Sequence, residues 1–213
     1  MFKKKPFFIV FEGVEGCGKS YQSKKLYNNL KKKKISSILT REPGGTRSAE
    51  MIRSLILKDY FNKSNKEKFD KYTDTLLYLA ARNEHVKNKI MPALKQKKVV
   101  ICDRFVDSTL AYQVYGKKVS LNFINNIHKI ILNGLKPNIT FLLKVSPTIS
   151  KLRLSKRKIK NRYDKFNQSF YDKVQKSFLK IAKNKMNYYV FDSSKNDKVL
   201  ENKIINIVLK HLI

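Results

Sequence analysis

Residues 7–20 read FFIVFEGVEGCGKS, and this stretch decides the fold. Phe7 to Phe11 form an unbroken apolar run, as expected of a strand buried on both faces of a parallel sheet. Gly13, Val14, Glu15, Gly16, Cys17, Gly18, Lys19 and Ser20 then fit G-x-x-x-x-G-K-[ST], a loop whose backbone N–H groups turn inward to cradle phosphates. Gly13 and Gly18 permit the tight turn. Lys19 offers a point charge to β- and γ-phosphates, and the Ser20 hydroxyl can ligand Mg²⁺. Beyond Ser20, Leu26, Leu30 and the apolar part of Tyr27 recur at helical spacing, so strand, loop and helix follow in the order the motif requires. The plain alternative is a chance glycine-rich turn before a helix.

Outward from this stretch, apolar runs alternate with helical patterns, the signature of βαβ units. Strands are expected at 7–12, 36–40, 98–102, 139–145 and 188–191. Helices are expected at about 19–33, 47–58, 67–96, 121–134, 148–157, 167–185 and 197–211. No repeat or long low-complexity linker interrupts them, so residues 1–213 read as one α/β domain. The expected fold is a three-layer, P-loop NTPase-type arrangement, a five-stranded parallel sheet flanked by helices. Ligands in such sheets lie beyond the carboxyl ends of the strands, so the residues following each strand carry the chemistry.

After the second strand, TREPGGT (40–46) presents Arg41 and Glu42 on a Pro/Gly turn; an incidental ion pair in a helix-entry loop is equally compatible. After the third, Asp103 takes the place of the second Mg²⁺-organising carboxylate, and Arg104 offers a planar fork for a phosphate. If the following segment is helical, Ser108, Thr109, Tyr112 and Gln113 share a face suited to the polar edge of a base and a sugar. Tyr78 and Arg82, spaced i, i+4, can stack a base and hold its phosphate, or be a core aromatic beside a surface arginine. Residues of about 151–165 hold Arg153, Arg157 and Arg162 among lysines with little acid. Near a phosphate site this suits a cationic closing lid; otherwise it is a solvated face. His85, His128 and His211 show no triad or ligand spacing and are assigned no chemistry.

Net charge is +31, with 47 Lys and Arg against 16 Asp and Glu. The lysines are scattered and accompany many Ile and Asn, the joint bias of an AT-rich coding sequence. Specific nucleic-acid binding is therefore not expected, although weak polyanion binding is. Cys17 and Cys102 are too few for a disulfide scaffold and fit a reducing compartment. The apolar run at 7–11 is shorter than a signal core, and no run reaches the ~20 residues of a membrane span, so the expectation is a soluble, cytoplasmic protein.

Taken together, FEGVEGCGKS (11–20), TREPGGT (40–46), AAR (80–82), DRFVDSTLAYQ (103–113), NGLKPNIT (133–140), the Arg-rich segment and FDS (191–193) resemble the bacterial thymidylate kinases almost end to end. The resemblance implies transfer of the γ-phosphoryl group of ATP to dTMP with Mg²⁺, by a homodimer. It implies that Gly13 to Ser20 hold the ATP phosphates, that Lys19, Glu15, Arg104, Arg157 and Arg162 are catalytic, and that Ser20 and Asp103 serve the metal. Glu15 would face the dTMP sugar and phosphate, and Glu42 would organise Mg²⁺ or the acceptor. Arg53, Arg82 and Arg104 would hold the dTMP phosphate. Tyr78 would stack on thymine, Thr109 and Gln113 would contact the base beside Ser108, and Tyr112 would fill the place of a ribose 2′-OH. Arg157 and Arg162 match lid arginines, and Asp192 lies in a stretch expected near adenine. The sequence departs from the family pattern at Tyr78, usually Phe; at Phe105, commonly Tyr or His; at Val114, frequently Gly; and at Lys158, where many lids have Gly. Two other readings fit the phosphate loop: another P-loop nucleotide or deoxynucleoside kinase, and a basic ATP-binding module acting on nucleic acid.

Overall fold

The computed structural model describes residues 5–58, 68–156, 163, 167–183 and 185–212. Five strands, β1 (Phe7–Glu12), β2 (Ser37–Arg41), β3 (Val99–Asp103), β4 (Ile139–Lys144) and β5 (Tyr188–Asp192), form one sheet in the order β2-β3-β1-β4-β5. Every pairing is parallel. The expected strands thus stand within one residue of their places.

The apolar run of β1 is continuous because both of its faces are covered. Phe7, Ile9 and Phe11 enter one core with Leu26 and Leu30 of α1 (Lys19–Lys32), Phe178 of α8 (Gln168–Ala182) and Ile204 and Val208 of α9 (Lys198–Leu212). Phe8 and Val10 point the other way, into a second core with Val86, Ile90, Ala93 and Phe105. The period-two alternation thus splits one uniform sequence between two cores.

The helical stretch expected at 67–96 is α3 (Lys71–His85), a π-helical turn over Val86–Ile90 and α4 (Met91–Lys95). Pro92 explains the change, because it lacks an N–H and its ring crowds the carbonyl four residues back. The segment after β3 is likewise divided, into α5 (Val106–Thr109) and a π turn over Leu110–Gly116. The remaining helices are α2 (Arg47–Leu57), α6 (Leu121–Leu132) and α7 (Pro147–Ser155). Among the described residues, no helix is long and apolar enough to cross a membrane.

Register places the site. Phe11 pairs with Asp103, and Asp103 with Arg41, so the ends of β1, β3 and β2 stand level. The phosphate loop, the Asp103-Arg104 pair and the Arg41-Glu42 pair therefore leave the sheet side by side.

Candidate active site

Gly13 has φ 138°, and a Cβ there would overlap the Leu143 carbonyl oxygen and Cys17 Sγ, so no other residue fits the first turn of the loop. Lys19 folds back over the loop, its Nζ donating to the carbonyls of Gly13 (2.9 Å) and Val14 (2.7 Å). The loop is braced from outside. Ser150 Oγ donates to the Glu15 carbonyl at 2.8 Å, Arg153 Nη1 to that of Gly16 at 3.1 Å, and Ser193 Oγ to that of Cys17 at 2.6 Å. Arg153 Nη2 also donates to the carbonyls of Ser193 and Ser194. Residues 151–155, at the start of the expected lid of about 151–165, lie on α7, where Arg153 is spent on backbone carbonyls. Arg157, Lys158 and Arg162 lie outside the described residues. Asp192 is exposed at the end of β5, where its Oδ1 caps the Ser194 N–H at 2.8 Å.

Ser20 Oγ donates to Asp103 Oδ2. The other carboxylate oxygen, Oδ1, is buried with no hydrogen-bond partner among the described residues. An orphaned carboxylate oxygen beside a hydroxyl is an all-oxygen donor pair suited to a hard cation. Among the described residues no group of three or more His, Cys, Asp and Glu could hold a metal. That fits Mg²⁺, which takes one or two protein ligands and completes its shell with phosphate oxygens and water.

Arg104 sits at φ 74°, the left-handed region a non-glycine residue enters at a cost of about 1–3 kcal/mol. Its N–H bonds to the Phe11 carbonyl at 2.9 Å, which holds the turn. The turn aims the guanidinium across the phosphate loop: Nη1 donates to the Gly13 carbonyl (3.0 Å) and Ser108 Oγ (3.1 Å), and Nη2 to Glu15 Oε1 (2.9 Å). Tyr112 Oη donates to Glu15 Oε2. Burial opposes charge on Glu15, but Arg104, Lys19 and the Tyr112 hydroxyl outweigh it and hold the carboxylate below its ordinary range. Burial and the Glu15 charge together push the Tyr112 phenol well up.

Arg82 is almost wholly buried. Nε donates to Glu42 Oε2 (2.8 Å), Nη2 to the same oxygen (2.6 Å) and to the Phe105 carbonyl (2.9 Å), and Nη1 to Thr109 Oγ1 (2.8 Å) and His128 Nε2 (2.8 Å). A guanidinium has five N–H groups, and all five are used. Glu42 Oε1 meets His85 Nδ1 at 3.1 Å, and His85 Nε2 meets Thr40 Oγ1 at 2.7 Å. Burial opposes the Glu42 charge, and Arg82 overrides it, keeping the carboxylate below its ordinary range. This differs from the expectation for two residues. Arg82 is not a free cation for a phosphate, and Glu42 is engaged by protein donors rather than turned toward a metal.

These groups wall a solvent-open cleft. It brings together the expected Glu15, Lys19, Ser20, Glu42, Arg53, Tyr78, Arg82, Asp103, Arg104, Ser108, Thr109, Tyr112 and Gln113. Gln113 Nε2 is buried with no acceptor among the described residues. Arg41 and Arg53 add cations on the β2–α2 side. Burial first, and then repulsion from Arg41, lowers the Arg53 pKa, so the wall is poised for an anion. Glu50 meets both, with Oε1 also accepting the Gly45 N–H at 2.9 Å.

Several supporting residues escape sequence reasoning. Tyr163 lines the cleft, its ring edge-on to Tyr78 at 6.3 Å and Tyr112 at 5.8 Å. Glu12 accepts the N–H groups of Phe105 (2.8 Å) and Ser108 (3.2 Å) and the Ser108 hydroxyl (2.6 Å), fixing the start of α5. Its place before the loop is visible in the sequence; its burial and its partners, more than 90 residues away, are not. His85 and His128 serve Arg82 and Glu42, although neither has a sequence pattern that says so.

A model of the thymidylate kinase family matches residues 11–204. A thymidylate kinase of Wolbachia pipientis subsp. Culex pipiens is 41% identical over 209 residues, covering 95% of this chain and 96% of that one. One from Aster yellows witches'-broom phytoplasma is 43% identical over 209 residues, 96% of each. The crystal structure of thymidylate kinase from Ehrlichia chaffeensis superposes with a TM-score of 0.73 at 30% identity, covering 96% of this chain and 99% of that one.

Proposed function

This chain belongs to the thymidylate kinase family, and from that premise we propose how its cleft performs the reaction. It is a phosphotransferase that moves the γ-phosphoryl group of ATP to dTMP, giving ADP and dTDP. The bond from γ-phosphorus to the β,γ-bridging oxygen breaks, and a bond to a phosphate oxygen of dTMP forms. Two anions must be pressed together, so the protein's work is positioning and charge neutralisation.

The loop from Gly13 to Ser20 receives the donor phosphates, and Lys19 exchanges its two carbonyl partners for phosphate oxygens. Ser20 and Asp103 hold Mg²⁺, which when bound neutralises charge on the transferring group. Arg104 and Arg53 bind the acceptor phosphate, with Arg41 adding to the field. The β5–α9 loop around Asp192 lies against the phosphate loop, which supports a place for it near adenine. Arg157 and Arg162 remain proposals of the resemblance for the transferring phosphoryl group.

Tyr78 forms the plate on which thymine stacks. Thr109 Oγ1 already accepts from Arg82, which leaves its own proton to be donated to the ligand. Gln113 Nε2 is a second unspent donor. Donors at this edge suit a carbonyl and oppose an amino group, so thymine is favoured over cytosine. This donor pair is the observation that carries the acceptor assignment. The Tyr112 hydroxyl, tied to Glu15, fills the space of a 2′-OH and favours the deoxy sugar.

The test compares kcat/KM for dTMP and dCMP. Thr109→Val and Gln113→Leu narrow the ratio by about tenfold or more each. A ratio unchanged in both variants contradicts the assignment.

We read residues 1–213 as one nucleoside monophosphate kinase domain, working in the cytoplasm as a homodimer. Exposed Met51 and Leu55 on α2, and Tyr72 and Leu76 on α3, supply an apolar face for a second copy. Light scattering checks this: Met51→Glu with Leu76→Glu yields monomer, and a wild-type monomer at assay concentration removes the proposal.

A further inference from the structure

The acceptor pocket has an outer support that its lining does not include. His128 lies on α6, and its ring is buried against Arg82. Arg82 Nη1 carries only donors, so His128 Nε2 accepts and the ring proton sits on Nδ1. The other groups on Arg82 come from the turn after β2 (Glu42), the start of α5 (Phe105) and its end (Thr109).

We propose that His128 is a positioning residue of the acceptor site: by accepting one Nη1 proton of Arg82 it directs the other at Thr109 Oγ1, and so leaves the single Thr109 hydroxyl proton to be donated to the base.

The geometry requires some such acceptor. A buried guanidinium has five protons to place, and without His128 one is orphaned at a cost that drives the group to turn. The nearest relief lies in the cleft, because the remaining partners are fixed to the ends of β2 and β3. A turn toward the cleft takes the Nη1 proton from Thr109 and blurs the donor edge. The ring is also held neutral, as an acceptor must be: burial and then Arg82 push its pKa down to about 3. Glu42 faces it with the opposite, smaller effect.

This inference rests on the reading of the cleft as the dTMP site, and the experiment separates the two. KM for dTMP and for ATP, kcat and melting temperature are measured for His128→Leu, His128→Gln, His128→Asn, and Thr109→Val as reference. Gln places an acceptor at the ε position; Asn is one bond too short. Leu and Asn are expected to raise KM for dTMP about fivefold or more, with KM for ATP unchanged within about twofold. Gln is expected to restore dTMP binding. Should the Leu variant not fold, the Gln–Asn comparison stands alone. A lowered melting temperature with unchanged dTMP kinetics, or equal losses for both substrates, overturns the role of His128. If Thr109→Val also leaves dTMP kinetics untouched, the reading of the pocket itself is wrong.

Discussion

Arg104, leaving the end of β3 in a left-handed turn, reaches Glu15 inside the phosphate loop, Nη2 to Oε1, at 2.9 Å. One contact thus joins the part of the cleft assigned to the donor with the part assigned to the acceptor. Arg104 also touches the Gly13 carbonyl and the hydroxyl of Ser108, so a shift in either half is felt by the other.

Arg104→Gln is expected to lower kcat/KM for dTMP by about 10³, the scale of an arginine acting on a transferring phosphoryl group. It also frees Glu15 to repel both phosphates. Steady-state kinetics check this; a loss under about fivefold means that Arg104 only braces the loop.

Tyr112→Phe removes the hydroxyl tied to Glu15 but keeps the ring beside Arg104. The expected outcome is a narrower preference for dTMP over its ribose counterpart, by about tenfold. Unaltered sugar selectivity with a large fall in kcat would place the hydroxyl in the chemistry instead.

Arg153 binds three backbone carbonyls of the loops around the donor side. Arg153→Ala is expected to raise KM for ATP several-fold, about 1–2 kcal/mol of lost loop order, with KM for dTMP little changed. The reverse pattern would move Arg153 to the acceptor side.

Stability should depend on pH through Glu12 and His128, with opposite signs. Burial, and then the charge of Asp107, raise Glu12 from 4.5 to about 8, so the folded state binds the extra proton. Its contribution is present below pH 4.5 and is lost as pH rises through about 8. His128, lowered from 6.5 to about 3, is protonated first in the unfolded chain, so stability falls as pH drops from 6.5 toward 3. In thermal melts, the gain of Glu12→Gln over wild type should grow from about pH 4.5 to 8, and the acid slope should flatten in His128→Gln. Parallel curves for wild type and both variants contradict these assignments.

The phosphate loop was legible because its chemistry is local: eight consecutive residues between a strand and a helix. Asp103 and Arg104 were legible because they end an apolar strand. Arg82 was visible, but its task was not, since its acceptors come from residues 42, 105, 109 and 128 and only the fold assembles them. Composition marks where cations are, not which way they point; Arg153 turns inward to carbonyls that its sequence neighbours do not supply. The π turn over Leu110–Gly116 has no sequence cause that we can name.

Everything proposed for this cleft depends on its Arg104–Tyr78–Thr109 side reading thymine together with the 5′-phosphate of the nucleotide. ADP release from Mg-ATP with dTMP, dUMP, dCMP and thymidine tests it most directly. Fast turnover of dTMP is expected, with measurable but weaker turnover of dUMP, since one methyl group is worth about 1–3 kcal/mol. dCMP should fall far behind, and thymidine should be essentially inert. Thymidine turned over as fast as dTMP, or dCMP equal to dTMP, would contradict it.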